Sequence, residues 1–411
     1  MIYWTKTGNL YKKDVILVMQ KKYLFFMAAA HICNDINSGA LPAILPFFVL
    51  YYGMDYTSMA GLMFASAFLS SFIQPLFGYL ADRASRQWFM GFGVLLTGGC
   101  LGLTGLLTDY WAIFAAVTFM GIGSAIFHPE AARMVNFISG QQRGSGMSIF
   151  SVGGNAGFGL GPLAAVALIT AFGMQGTVFF GIVAVIMSVL LFIYIPKIKR
   201  AAEAAMAAER DAAAAAGTPL RCGAEPVNDW HGFSRLTFVI VFRSIVFCGI
   251  SSFLPLYCIQ VLGSSNAAGS ATLSVLSIAG IFTTLVGGRL ADRFGYVTVL
   301  KYGCLLLVPL LAAAVYAQSI WVVYALLIPM SFAMHGPYSS FVVLGQSYLA
   351  RSIGFASGVT LGLSFSVGGI VVPSLGWYAD MNGITAVMTL IVLCAVCCAA
   401  CCFLLPEPRR A

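Results

Sequence analysis

Apolar residues run continuously for about 20 positions or more along this chain, and the runs stop at turn residues and charges. A run of that length suits a helix crossing ~30 Å of hydrocarbon at ~1.5 Å per residue. Barrel strands would instead alternate in polarity over ~10 residues. The breaks predict spans near 23–52, 57–81, 88–108, 111–137, 145–172 and 176–195, then 233–262, 267–290, 296–317, 320–349, 352–378 and 383–405. The run from Tyr23 to Tyr52 exceeds the ~7–15 residues of a signal-peptide core and reads as the first span. The expected fold is an all-α membrane protein. Twelve transmembrane helices form two pseudo-symmetric six-helix bundles, 1–195 and 233–411, joined by a cytoplasmic linker, 196–232. The linker's alanine-rich segment is compatible with a helix or with a mobile tether.

Charge placement sets the orientation. With the N-terminus inside, Lys6, Lys12, Lys13, Lys21, Lys22, Arg83, Arg86 and Arg143 face the cytoplasm. So do Lys197, Lys199, Arg200, Arg210, Arg221, Arg235, Arg289, Arg293, Lys301, Arg351, Arg409 and Arg410. The outer loops carry Asp55, Asp109 and Asp380 and no Lys or Arg. This asymmetry follows the positive-inside rule, and an odd number of spans would destroy it. The expected location is a bacterial inner membrane, crossed many times, with both termini cytoplasmic.

The chain repeats itself. "LADR" stands at Leu80–Arg83 and again at Leu290–Arg293, an offset of 210. "FSVGG" stands at Phe150–Gly154 and Phe365–Gly369, an offset of 215. Leu45-Pro46 and Leu254-Pro255 differ by 209, and His128 and His335 by 207. Parallel six-helix repeats are an architecture of secondary transporters, with the substrate between the halves near mid-membrane.

The segment Gly78-Tyr79-Leu80-Ala81-Asp82-Arg83-Ala84-Ser85-Arg86 resembles the signature loop of the major facilitator superfamily, and Gly288–Gly295 repeats it. The first copy has Ser85 and Gln87 where a glycine and a base are usual, and the second lacks the trailing bases. "SVGGNAGFGLGP", ending at Pro162, loosely resembles that superfamily's antiporter signature. Within the superfamily, "HICND" (His31 to Asp35), "FHPEAAR" (Phe127 to Arg133) and "SIFSVGGN" (Ser148 to Asn155) resemble the fosmidomycin resistance protein family. That resemblance implies proton-driven export of a small, anionic, phosphonate-type drug; the protein is expected to act as a monomer and without a cofactor.

Charged groups inside a span cost ~2.5–3.5 kcal/mol on insertion scales and usually face the bundle interior. His31, Asn34, Asp35 and Ser38 share one helical face at i, i+3, i+4 and i+7. Asp35, with His31 and His128, is the expected proton carrier; the competing reading of Asp35 is a structural hydrogen-bonded lock. Pro129 and Pro337 are expected to break the helical hydrogen-bond ladder locally near His128 and His335. Arg243 aligns with Asn34 under the 209 offset, and its guanidinium suits a bidentate hold on an anion. Arg243, Asn34, Ser38, Asn155 and His335 form the expected substrate set, with a salt bridge from Arg243 to Asp35 as the alternative or exchanging partner. Glu130 and Arg133, at i and i+3, are spaced for an ion pair. With Asp82, Arg83, Asp292 and Arg293 they are assigned to gating, the two aspartates pairing with bases and helix N-termini across the halves.

Composition narrows the classes further. The chain is 60% hydrophobic and 9% charged, against roughly a quarter charged in a soluble domain. Its net charge of +8 follows from the inner loops and anionic lipid, with no nucleic acid required. The eleven cysteines lie mostly within spans and read as small packing residues rather than a metal or disulfide framework. Three readings remain: a proton-coupled exporter, an uptake symporter for an organic anion, and a membrane sensor or enzyme. The loops lack a catalytic constellation, which weighs against the last.

Overall fold

The computed structural model describes residues 10–54, 56–83, 88–140, 142–215 and 227–408. Lys6, Asp55, Ser85, Arg86, Gln87, Arg221, Arg409 and Arg410, and the side chains of Lys12, Lys13, Arg210 and Phe365, lie outside the described residues.

The first half comprises α1 (Leu10–Tyr52), α2 (Tyr56–Arg83), α3 (Trp88–Leu103), α4 (Tyr110–Ile138), α5 (Arg143–Phe172) and α6 (Val178–Ala215). The second comprises α7 (Trp230–Gln260), α8 (Asn266–Phe294), α9 (Tyr296–Val315), α10 (Ile320–His335), α11 (Tyr338–Tyr348), α12 (Ile353–Asn382) and α13 (Ile384–Phe403). Nine stretches of the described chain are long and apolar enough to cross a membrane. One of them, Arg143–Arg200, contains both α5 and α6, and another, Ile320–Tyr348, contains α10 and α11. With α2 and the shorter α3, they make the twelve crossings of this fold.

Helix starts follow local chemistry. Asp109, Asp229, Ser265 and Ser319 each accept a backbone N–H of the first turn of α4, α7, α8 and α10. Gly295 and Gly383, at φ +93 and +84, make the tight turns before α9 and α13, where a side chain would be strained. Trp111 and Trp321, 70% and 77% exposed, stand at equivalent starts of α4 and α10, as membrane-interface anchors do.

Pro129 has no N–H for the helical ladder, yet it does not end its helix: α4 runs through it to Ile138. Pro337 does, separating α10 from α11 at Gly336-Pro337. The span expected to end at 195 is part of a longer helix. α6 continues through Pro196 to Ala215, because the alanine, glutamate and lysine residues beyond are strong helix formers. The alanine-rich segment is thus helical as far as Ala215.

Each half has two apolar cores, one toward each end. In the core around Met27, Phe127 and Phe150, Val342, Val343 and Leu361 enter from the second half, so the halves share this core. It lies toward the Ile138 end of α4 and the Arg143 end of α5.

Candidate functional site

Asp35 lies in α1, 4% exposed, at the centre of a buried polar cluster. Its Oδ2 is 3.1 Å from His31 Nε2, one turn earlier, and its Oδ1 is 3.2 Å from His128 Nε2 of α4. The two Nε2 atoms are themselves 3.1 Å apart. Each ring is anchored through its other nitrogen: His31 Nδ1 lies 2.7 Å from the Phe150 carbonyl, and His128 Nδ1 lies 2.8 Å from the Ser124 carbonyl. A carbonyl accepts only, so both Nδ1 atoms carry hydrogens. Both Nε2 atoms then face each other and the carboxylate as acceptors. Three mutual acceptors at these distances require at least one proton among them.

The cluster is braced on all sides. Asn34 donates to Asp35 Oδ1 at 2.9 Å and to Ser124 Oγ at 3.2 Å, and it accepts from Thr97 of α3 at 3.1 Å. Its amide is therefore spent within the cluster. The His31 ring stacks on Phe150 with centroids 4.0 Å apart. Gly154 of α5 makes this approach possible. A Cβ there would stand 2.6 Å from His31 Cε1 and 2.9 Å from Asp35 Oδ2.

Arg243 lies in α7, buried at 8% exposure. Its Nη2 donates to the Met334 carbonyl at 3.1 Å, in the last turn of α10, where helical pairing lapses before Pro337. Its Nη1 is buried with no hydrogen-bond partner. The rings of Tyr338 and Phe341 lie 5.2 and 5.1 Å from the guanidinium carbon, within cation–π range. Beside it is a cavity of about 20 Å³ lined in part by Phe247, Met334, Pro337 and Phe341. No carboxylate of the described residues lies within 4.0 Å of Arg243, so the alternative salt bridge to Asp35 is not made in this conformation. The carboxylate is held instead by two histidines of its own half.

The remaining expected contacts divide. His335 anchors Nδ1 on the Ser331 carbonyl at 3.2 Å, as His128 does on Ser124, but the equivalent of Asp35 under the 209 offset is Ser244. Ser38 and Asn155 are half-buried and stand outside the cluster. Glu130, fully buried, pairs with Arg133 at 3.3 Å on the far side of α4 from His128.

Near the ends of α2 and α8, two carboxylates join the halves. Asp82 accepts the N–H groups of Gly354 and Phe355 at 2.7 and 2.9 Å, in the first turn of α12. Asp292 accepts those of Gly144 and Ser145 at 2.8 Å each, in the first turn of α5, and the Ser145 hydroxyl at 2.6 Å. Their partners are helix N-termini rather than bases. Arg83 and Arg293 are exposed over the rings of Tyr79 and Phe294.

Sequence reasoning missed several participants. Gly78 packs on Gly354, and Gly144 on Gly288, so each helix crossing is made backbone to backbone. Asn136 donates to Gln346 between the halves, and Gln346 donates to Ser357 at 2.8 Å. All six residues stand in register in the repeat: 78 and 288, 144 and 354, and 136 and 346 each differ by 210.

The profile of the Major Facilitator Superfamily matches residues 27–373. An MFS-type transporter of Bacillus subtilis, YfnC, is 29% identical over 94% of this chain and 93% of its own. The fosmidomycin resistance protein of Escherichia coli is 27% identical over 88% of this chain and 87% of its own. Among solved structures, the fucose:proton symporter FucP of E. coli superposes with a TM-score of 0.69 at 14% identity, over 94% of this chain and 99% of that one. The human organic anion transporter MFSD10 does so at 0.69 and 17%, over 93% and 99%. The chain belongs to the Major Facilitator Superfamily and is a multi-pass membrane transporter, not an enzyme.

Proposed function

We propose that this protein is a proton-coupled antiporter that exports a small anionic compound, of the fosmidomycin-like phosphonate class, across the bacterial inner membrane. The observation that carries the reading is the set of three facing acceptors, His31 Nε2, His128 Nε2 and Asp35, packed together inside the first half. Such a trio suits a shared, exchangeable proton, because each ring is already anchored through Nδ1. Likeness to the fosmidomycin resistance protein supports an anionic drug as the cargo. The unpaired Nη1 of Arg243 supports the second half as the place that holds it.

The cycle follows alternating access between bundles divided at 196–232. With both termini in the cytoplasm, the Asp82 and Asp292 contacts close the cytoplasmic end, and the trio takes a proton from outside. Opening at the cytoplasmic end releases that proton and lets the anion reach Arg243. Ser38, Asn155 and His335 complete the substrate set, while Glu130 and Arg133 belong to the gate.

Energised everted vesicles, with a phosphonate added while internal pH is followed, test this. Antiport raises the luminal pH as substrate enters. Acidification instead would establish symport, and no flux of either species would remove transport of this class. A drug-sensitivity panel including phosphonates, in a strain lacking its own exporters, identifies the substrate.

A further inference from the structure

Three cysteine sulfurs meet inside the second half. Cys304 of α9 lies against Cys398 of α13, their Sγ atoms 3.9 Å apart. Cys402, one turn further along α13, completes a group whose sulfurs all lie within 4.8 Å of one another. The pairing on α13 is i, i+4, which puts both thiols on one helical face, unlike the Cys-x-x-Cys spacings around them. All three are buried, at 6%, 4% and 0% exposure, among Leu300, Val239 and Ala399.

We propose that Cys304, Cys398 and Cys402 form a three-sulfur site for a thiophilic divalent ion of filled d shell, the class of Zn2+, Cd2+ and Hg2+. Metal–sulfur bonds of about 2.3 Å place ligand sulfurs roughly 3.8–4.0 Å apart, and the Cys304–Cys398 separation already has that value. The binding step balances without oxidant or reductant. Three thiols lose three protons, three sulfur–metal bonds form, and the product carries one net negative charge. Buried in a low dielectric, that charge needs a partner. Arg243 lines the same cavity as Cys304 and Cys398 and supplies one positive charge. Soft thiolate ligands select such ions over Mg2+ or Ca2+. A bound ion would tie α9 to α13 directly behind Arg243.

The test uses the full-length protein in detergent, titrated with Cd2+. The expected result is a near-ultraviolet sulfur-to-metal charge-transfer band that saturates at one ion per chain, with three protons released per ion. X-ray absorption on the same wild-type sample should show a shell of three sulfurs. The band should vanish in Cys304→Ala and in Cys402→Ala, and persist when Cys394, Cys397 and Cys401 are all changed to Ala. A nitrogen- and oxygen-only shell would mean that Cd2+ has gone to His31, Asp35 and His128, and would overturn the proposal. So would a band that survives Cys304→Ala, or one lost with the control cysteines. Because stoichiometry, proton count and ligand shell are all read on the unaltered chain, a variant that misfolds leaves the test intact.

Discussion

Asp35 tolerates its position because every group around it is oriented by something else. The histidines are fixed by backbone carbonyls, Asn34 by Thr97 and Ser124, and the whole cluster by the bare backbone of Gly154. The glycine makes the sharpest residue-scale prediction. Gly154→Ala puts a methyl group against His31 and Asp35, an overpacking of about 1–3 kcal/mol. Proton-driven transport in proteoliposomes should fall about tenfold or more on that energy scale, with a lowered melting temperature. Gly159→Ala, on the same helix with open space at its Cβ, should behave as wild type. Equal behaviour of the two variants would mean that the cluster does not govern transport. Arg243 permits a separate test. Lysine keeps the charge but loses the planar fork, and a hydrogen bond to a charged group contributes ~1.5–3 kcal/mol. Substrate KM for Arg243→Lys should rise roughly tenfold to a hundredfold. An unchanged KM would reduce Arg243 to a cap on the end of α10.

Among elements, the decisive contacts are carboxylates at helix N-termini. Asp82 serves α12 and Asp292 serves α5, each accepting the second and third amides of a helix in the opposite half. Charge and helix dipole reinforce each other there. Asp82→Asn should therefore speed hydrogen exchange at Gly354 and Phe355, and Asp292→Asn should do the same at Gly144 and Ser145. A loss of ~1.5–3 kcal/mol corresponds to exchange about tenfold to a hundredfold faster. Unaltered protection at both places would show that the ends are held together by packing alone. The spans themselves were readable in the sequence, because run length in hydrocarbon is a one-dimensional constraint. His31, Asn34 and Asp35 were readable from helical spacing, and Arg243 from the repeat. What stayed hidden were partners with no sequence signature: the carbonyls of Phe150, Ser124 and Met334, which any residue would supply. The two prolines were equally opaque. Pro129 directly follows a helical His128, and Pro337 follows a Gly336 whose own backbone is still helical and packs closely against Gly287, so the neighbouring residue does not tell the two cases apart.

The whole molecule is symmetric in its scaffold and asymmetric in its chemistry. Offsets of 210 relate the locking aspartates, the crossing glycines and the interfacial tryptophans, so one mechanical design occurs twice. The ionisable trio occurs once: Ile240 and Ser244 stand where His31 and Asp35 would repeat, and Arg243 replaces Asn34. In the proposed cycle the proton and anion sites lie in separate halves and are coupled by relative motion of those halves, which places weight on the contacts along the pseudo-twofold axis. Asn136 and Gln346 are symmetry equivalents that hydrogen-bond to each other, buried at 5% and 2% exposure. Removing one partner strands the other, at about 1–3 kcal/mol, whereas removing both to apolar groups of similar shape is nearly neutral. Either single variant, Asn136→Leu or Gln346→Leu, should thus bias the molecule away from the form closed at the end where Asp82 and Asp292 join the halves. The double variant should recover much of the closed population, because no amide is left unpaired. Spin labels across that end, read by pulsed dipolar spectroscopy, give the populations, and a coupling of ~0.5–3 kcal/mol is expected between the two sites. Strictly additive effects would mean that the two amides act independently, and that the axis contact does not set the balance between closed and open forms.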